Sequence, residues 1–299
     1  MRTAFIKQLV KEAETNDRIF LIVGDLGFSV VEEFERQFPD RFLNAGIAEQ
    51  NMVGIASGLA MQGYNVYIYS IANFPTLRCM EQIRYDVAYH HLNVKVVSVG
   101  AGYAYGPLGA SHHATEDLGM LRTIPDMIVC SPGDPYEAQA VTTFSANYDG
   151  PMYLRLGKAG EKLVHSAPIN SIKSGELLPI IRGNHQKAII ACGSILNDAA
   201  TQITEQSLPY DLWSIPFVKP IDRKQLTQLC KQYSGGFTVL EEHQKSCGVG
   251  SAVTEILSDL YAEGEIDTFP KVKRLAINDE FVTVVGNQSF LREKAGLVL

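Results

Sequence analysis

The chain has 299 residues, which suits two domains, because globular domains usually hold roughly 100–200 residues each. Hydrophobic residues make up 46% and charged residues 20%, a composition that is typical of well-packed globular proteins and argues against disorder. The formal net charge of −7 argues against a nucleic-acid partner, since binding a phosphate backbone requires a basic surface.

The N-terminal segment 1–18 is too rich in charged residues to be a signal peptide, and no apolar run approaches the ~18 residues of a membrane helix. The five cysteines show no spacing that is typical of a metal site or a redox pair. We therefore expect a cytoplasmic protein with free thiols and no membrane partner.

Short apolar runs rich in β-branched residues alternate with helical stretches, which indicates parallel sheets with crossover helices. The first group of predicted strands covers 19–23, 64–71, 94–99, 127–130 and 152–156. The second group covers 188–191, 211–215, 237–240 and 272–277. The sequence therefore predicts an α/β protein.

Between the two groups, residues 166–186 lack clear periodicity and contain many Lys, Ser, Gly, Pro and Asn residues, which favours a connection. We predict a parallel-sheet domain over 1–165, a linker over 166–186 and a smaller α/β domain over 187–299. Ligands of open parallel sheets bind beyond the carboxyl ends of the strands, so the segments that follow the strands are the candidate site.

Residues 44–60, NAGIAEQNMVGIASGLA, predict an apolar helix with Glu49 at its start. We expect this helix to be buried, and Gly54 and Gly58 allow another backbone to approach it closely. Glu49 must be hydrogen-bonded or partly protonated there, because an unpaired buried charge is costly. A glutamate at a helix start is more commonly just a charge that the helix dipole stabilises, without a role in chemistry.

This segment resembles the pyrimidine-binding domain of transketolases and of deoxyxylulose-phosphate synthases, which use thiamine diphosphate. Further similar segments follow in order: FPDRF (38–42), EQIR (81–84), LGMLRTIPDMIVCS (118–131), LEEH (240–243) and GVGSA (248–252). The resemblance covers most of the chain. It implies the C-terminal subunit of a split transketolase, with a pyrimidine-binding domain followed by a smaller domain of the transketolase C-terminal type.

The resemblance implies roles for four residues around the cofactor. Glu49 matches the glutamate that hydrogen-bonds the aminopyrimidine and thereby promotes removal of the thiazolium proton. Asp25 matches an aspartate that lines the cofactor cleft, and Phe74 matches an aromatic residue that stacks on the pyrimidine ring. Ile71 occupies a position where many relatives carry a second aromatic residue, so we expect a differently shaped wall there.

Three further residues are implied in substrate binding. His112 matches a histidine that contacts sugar hydroxyls beside the reacting carbon, which gives it a catalytic role. His113, next to it, replaces a neutral residue of the family. Arg155 matches an arginine that holds the sugar phosphate, a task suited to the bidentate guanidinium.

Two positions depart from the family pattern: Leu108 replaces a hydroxyl-binding aspartate, and Gly100 replaces a second histidine. We therefore expect a donor other than an ordinary pentulose phosphate, or a bulkier acceptor.

The chain also lacks the Gly-Asp-Gly motif with a later Asn through which such enzymes hold the diphosphate by a divalent metal. We expect no metal ligands in this chain. The resemblance implies an N-terminal transketolase subunit that carries the diphosphate-binding domain and holds Mg²⁺ or another divalent cation. It further implies an α2β2 heterotetramer in which the two subunits bind thiamine diphosphate together.

The resulting hypothesis is transfer of a two-carbon ketol unit from a ketose to an aldehyde, in specialised sugar biosynthesis. Alternatives are a 2-oxoacid dehydrogenase β subunit, a deoxyxylulose-phosphate synthase-like half enzyme, and a non-catalytic interaction subunit. Residues 121–125, LRTIP, favour a transketolase over the dehydrogenase, and the retention of Glu49 argues against the non-catalytic alternative.

Overall fold

The apolar runs of the sequence form the strands of two sheets in a computed structural model that describes residues 1–299. In chain order the strands are β1 (Ile19–Val23), β2 (Phe42–Asn44), β3 (Asn65–Ile71), β4 (Val94–Val99), β5 (Ile128–Cys130), β6 (Met152–Leu156), β7 (Leu178–Ile181), β8 (Ala188–Cys192), β9 (Asp211–Ser214), β10 (Phe217–Lys219), β11 (Phe237–Gln244) and β12 (Val272–Ile277). The predicted α/β class is confirmed.

Helices connect the strands and cover the sheets. They are α1 (Arg2–Thr15), α2 (Glu32–Gln37), α3 (Glu49–Met61), α4 (Met80–Gln82), α5 (Asp117–Arg122), α6 (Pro135–Ala146), α7 (Leu196–Glu205), α8 (Arg223–Gln232), α9 (Val249–Ala262) and α10 (Gln288–Lys294). Helix α4 continues into a π-helix over Ile83–Ala88. None of the helices combines the length and the apolar character that a membrane crossing needs.

The first sheet has the strand order β10-β5-β6-β4-β3-β1-β2, and the second has the order β12-β11-β8-β9-β7. All pairs are parallel except those of the two edge strands β10 and β7. The parallel strands β1, β3, β4, β5, β6, β8 and β9 are almost entirely buried, which explains their mostly apolar sequences, whereas β2 and β12 are partly exposed.

Strand β10 joins the two halves of the chain. It lies beyond residue 187, yet it pairs with β5 at the edge of the first sheet, with Phe217 opposite Cys130. The largest hydrophobic cluster, of 37 buried residues, likewise includes Met52 from the first half and Trp213 from the second. Because burial of apolar surface is the main favourable term in folding, we infer that the halves stabilise each other.

The structure differs from the predicted linker in one respect. Strand β7, Leu178–Ile181, lies within 166–186 and pairs antiparallel with β9, with Leu178 opposite Ser214. A Pro inside a four-residue edge strand hides the alternation that would have indicated it. The second sheet therefore begins before residue 187, and the linker prediction is wrong for these four residues.

Helix α9 begins within the segment GVGSA (248–252), beside the buried carboxylate of Glu241. The two oxygens of Glu241, near the end of β11, accept hydrogen bonds from the N–H groups of Val249 and Gly250 at 2.6 and 2.8 Å. A side chain at Gly248 would collide with this carboxylate, so glycine is required there. Burial raises the pKa of Glu241 to about 7, although both hydrogen bonds act to lower it.

This pKa predicts a dependence of stability on pH. The folded chain binds the proton of Glu241 more tightly than the unfolded chain, in which this carboxyl has its ordinary pKa of 4.5. The contribution of Glu241 to the free energy of unfolding is therefore largest below pH 4.5 and is lost as the pH rises through about 7. We expect the difference in free energy of unfolding, wild type minus Glu241→Gln, to fall by up to about 3 kcal/mol across this window.

Urea denaturation between pH 4.5 and 7.5 measures this difference. Glu205→Gln, at an exposed glutamate of α7, is the control and should show no such trend. A difference for Glu241→Gln that stays constant over the window would mean that the Glu241 carboxyl is ionised throughout.

Candidate active site

The carboxyl ends of β1 and β3 and the first residue of α3 meet at one edge of the first sheet. Gly24 follows β1 and leaves room for the side chain of Glu49, whose Cγ lies 3.6 Å from the position of a Cβ on Gly24. Asp25, with a positive φ of 56°, exposes its carboxylate, which accepts a hydrogen bond from the Asn44 side chain at 3.0 Å. The structure thus brings Asp25 and Glu49 to the same edge.

Glu49 is buried at the start of α3, with only 2% of its surface exposed. The helix itself is buried on one face, through Met52, Val53 and Ala56, and open on the other. Gly54 and Gly58 lie on the open face, where no atom lies within 4 Å of an added Cβ. The expectation that α3 is buried all round is therefore wrong for the single chain.

The carboxylate of Glu49 is paired with Arg78, a residue that no sequence motif indicated. Arg78 Nη1 lies 2.6 Å from Glu49 Oε2, and the guanidinium carbon lies 4.8 Å from the centre of the Phe74 ring. The side chain of Arg78 is 46% exposed, so it lies at the mouth of the site. One cation therefore contacts both groups that were expected to contact the aminopyrimidine.

Ile71 and Phe74 form the adjacent wall, as expected for residues that follow β3. Ile71 is half-buried at the end of the strand, and its carbonyl accepts a hydrogen bond from the Phe74 N–H at 2.8 Å. The Phe74 ring is also partly exposed and presents one face to Arg78. Arg78 therefore links the carboxylate of Glu49 to an aromatic face that follows β3.

The two histidines lie on opposite sides of their loop. The His112 ring is 5.4 Å from the Phe74 ring in an edge-to-face arrangement, so it borders the site. The His113 ring is buried against Tyr103, at 5.1 Å, and burial lowers its pKa. Its Nε2 has no hydrogen-bond partner, and it lines a cavity of about 250 Å³ together with Asn73.

The structure explains both departures from the family pattern. Gly100 has φ +103°, and a side chain there would overlap the ring of Tyr105, which fills this space. Leu108 is more than half exposed at the surface of the same loop. Neither position offers a polar contact to a sugar.

Arg155 is buried and its guanidinium is engaged within the chain, so the geometry of the single chain gives its predicted role in phosphate binding no support. The residue is buried in β6, and its Nε lies 2.8 Å from Asp117 Oδ2. Its Nη2 donates to the carbonyl oxygens of Ala114 and Glu242. The sequence indicated a residue at a strand end, but it did not indicate that the side chain points inwards.

One group of potential metal ligands occurs in the chain, formed by Asp134, Glu137 and His165. All of these carboxylates already accept hydrogen bonds: Asp134 caps α6 and accepts from Val164 and His165, while Glu137 accepts from Gly133 and from the His165 ring. The cluster therefore serves the fold. Glu49 and Phe74 lie outside this cluster, and both contact Arg78.

Comparison with known protein families gives two matches that together span most of the chain. The transketolase pyrimidine-binding domain matches residues 1–160, and the transketolase C-terminal domain matches residues 178–288. The second match begins at β7.

Individual relatives extend over almost the whole chain. A subunit of an apulose-4-phosphate transketolase from Actinobacillus succinogenes is 29% identical, over 94% of this chain and 88% of its own length. A subunit of a 6-deoxy-6-sulfo-D-fructose transketolase from Clostridium sp. is 30% identical, over 99% and 90%. A solved structure described as a split gene transketolase, inactive beta4 tetramer, is 33% identical, covers 99% of this chain and 93% of its own, and superimposes with a TM-score of 0.84.

The buried position of Arg155 leads to a prediction about stability. Arg155→Met leaves Asp117 as an uncompensated buried charge, so we expect the free energy of unfolding to fall by about 3–5 kcal/mol. Urea denaturation measures it. Arg182→Met is the control, because this half-exposed guanidinium lies 3.9 Å from Asp211 and should cost less than about 1 kcal/mol. An unchanged stability, with a higher KM for phosphorylated sugars alone, would restore the phosphate-binding role.

Proposed function

This chain belongs to the transketolase family, and on that premise we propose that it holds the pyrimidine end of thiamine diphosphate in a transketolase made of two kinds of subunit. The observation that carries the proposal is the buried carboxylate of Glu49, which shares the cation of Arg78 with the Phe74 ring. The reaction is transfer of a two-carbon ketol unit from a ketose to an aldehyde.

Thiamine diphosphate, when bound, supplies the carbon nucleophile and the electron sink for ketol transfer. The protein's part is to bind and orient the ring and to hold a proton. Glu49, in a water-poor position, would share a proton with a ring nitrogen, and Phe74 would stack on the ring. Asp25 and Ile71 would line the same cleft, and His112 would contact the hydroxyls of the sugar.

Arg78 has to move before a ring can bind between Glu49 and Phe74. Its guanidinium is planar and cationic, and it contacts the same carboxylate and the same aromatic face. In the single chain it therefore satisfies a buried charge that would otherwise be unpaired. The half-exposed position of its side chain leaves it free to turn towards solvent.

The partner in this proposal is an N-terminal transketolase subunit with the diphosphate-binding domain, which also holds Mg²⁺ or another divalent cation. The open face of α3, with Gly54 and Gly58, offers a surface for close backbone packing. Beside it, Ile47 precedes α3 and Tyr89 follows the π-helix, and each side chain is 80% exposed. We propose an α2β2 heterotetramer in the cytoplasm, assembled through this face.

The proposed donor is a ketose other than an ordinary pentulose phosphate. Gly100 and Leu108 supply no polar side chain to the site, and Arg155 is engaged elsewhere. Two relatives are described as acting on apulose 4-phosphate and on 6-deoxy-6-sulfofructose, which supports a role in specialised sugar metabolism. Assays of the assembled enzyme with a panel of ketoses, and with pyruvate, separate this proposal from a synthase-type reaction.

We expect Glu49→Gln to lower the turnover of the assembled enzyme about a hundredfold or more, because the variant cannot exchange a proton with the ring. Steady-state assays with the partner present measure the effect. Glu81→Gln, at an exposed glutamate, is the matched control and should retain wild-type turnover. Near-normal turnover of a correctly assembled Glu49→Gln enzyme would remove Glu49 from the proposal.

We also expect the purified chain alone to bind thiamine diphosphate weakly and to show no turnover. The pocket offers one carboxylate and one aromatic face, whereas the diphosphate needs a cation held by oxygen ligands. Calorimetric titration with the cofactor and Mg²⁺, with and without the partner, measures this. Tight, Mg²⁺-dependent binding to the single chain would contradict the two-subunit site.

A further inference from the structure

The loop that carries His112 is held by the second half of the chain. The carboxylate of Glu242, at the end of β11, is 2% exposed and accepts a hydrogen bond from the Tyr103 N–H at 2.8 Å. Gly102 has φ +58°, and a Cβ there would lie 2.5 Å from Glu242 Cδ. The loop backbone therefore packs directly on this carboxylate.

Helix α10 and its neighbours complete the environment of Glu242. Arg292 Nη2 lies 2.5 Å from Glu242 Oε2, and Gln288 Nε2 donates to the same oxygen at 3.0 Å. Arg292 is held in turn by Asp198, at 2.8 Å, and by Ser194, at 2.7 Å. The buried charge is thus paired and hydrogen-bonded, as a carboxylate in an interior must be.

Two more contacts hold the same loop. Gly106 packs against the carbonyl of Gly286 so closely that a side chain there would collide with it. The Ala114 carbonyl accepts from Arg155, which also donates to the Glu242 carbonyl at 3.0 Å. The loop is therefore held before and after the histidines, by Glu242 and Gly286 of the second half and by Arg155 of the first, and Asn73 Nδ2 also donates to the His113 carbonyl.

We propose that Glu242 is a positioning residue for ketol transfer, and that the second domain takes part in the reaction by holding the sugar-binding loop in place. The inference rests on the proposed role of His112 as a sugar ligand. The physical reason is that the Tyr103 N–H fixes the start of the loop to a rigid strand, whereas a loop without this anchor samples more conformations.

The same geometry separates sugar binding from cofactor binding. Glu49 and Phe74 lie on α3 and on the segment after β3, and no hydrogen bond or ion pair joins them to Glu242 or α10, although the Phe74 ring contacts the His112 ring of the loop. Loss of the Glu242 carboxylate should therefore loosen the contacts of the sugar and leave the contacts of the pyrimidine ring in place. A residue with only a structural role would affect both.

Hydrogen exchange on the full-length chain tests the positioning role without any activity. In Glu242→Ala we expect the amides of residues 102–114 to exchange at least about tenfold faster, while those of β3 are unchanged. Glu242→Gln, which keeps an oxygen for the Tyr103 N–H, should recover most of the protection. Glu205→Gln, at an exposed glutamate of α7 outside this network, is the control and should match wild type.

Kinetics of the chain assembled with its partner give the second test. We expect Glu242→Ala to raise the KM of the sugar substrate about tenfold, to change the affinity for thiamine diphosphate less than about twofold, and to be largely rescued by Glu242→Gln. Unchanged exchange in the loop, uniformly faster exchange along the chain, or equal loss of cofactor and sugar binding would each overturn the proposal. If the wild-type assembly showed no ketol transfer, the proposed function would fail, and the exchange result would still decide whether Glu242 holds the loop.

Discussion

The buried ion pair between Arg155 and Asp117 is the interaction on which the arrangement of the site depends. The guanidinium of Arg155, at the end of β6, pairs with Asp117 at the start of α5. It also donates hydrogen bonds to the Ala114 carbonyl, at the end of the histidine loop, and to the Glu242 carbonyl in β11. Loss of any one of these contacts leaves a buried polar group unpaired in a medium of low dielectric constant, so the guanidinium stabilises the arrangement of all four elements.

The strands that the sequence predicted are those with long apolar runs, since burial on both faces leaves a continuous hydrophobic signal. Strands β2, β7 and β10 have three or four residues each and lie at sheet edges, where that signal is absent. The pairing of β10 with β5 is also non-local, because Phe217 meets Cys130 across the domain boundary. No local pattern indicates such a contact.

The candidate site was predictable where its residues lie in a motif and less so elsewhere. Glu49 and Phe74 follow from the resemblance, and the structure places them at one sheet edge with a shared contact to Arg78. Arg78 itself lies in a short connecting segment whose side-chain directions depend on tertiary packing. The inward direction of the Arg155 side chain, which pairs with Asp117, likewise depends on tertiary packing that no local pattern indicates.

The proposed docking of a partner subunit on the open face of α3 also has a consequence for how that partner is selected. Gly54 and Gly58 let another backbone come close, yet they present no side chain that distinguishes one incoming chain from another. In the proposed assembly, discrimination between partner chains would then depend on exposed neighbours such as Ile47 and Tyr89. The glycines would thus permit close packing, whereas the choice of partner would depend on other residues of the same surface.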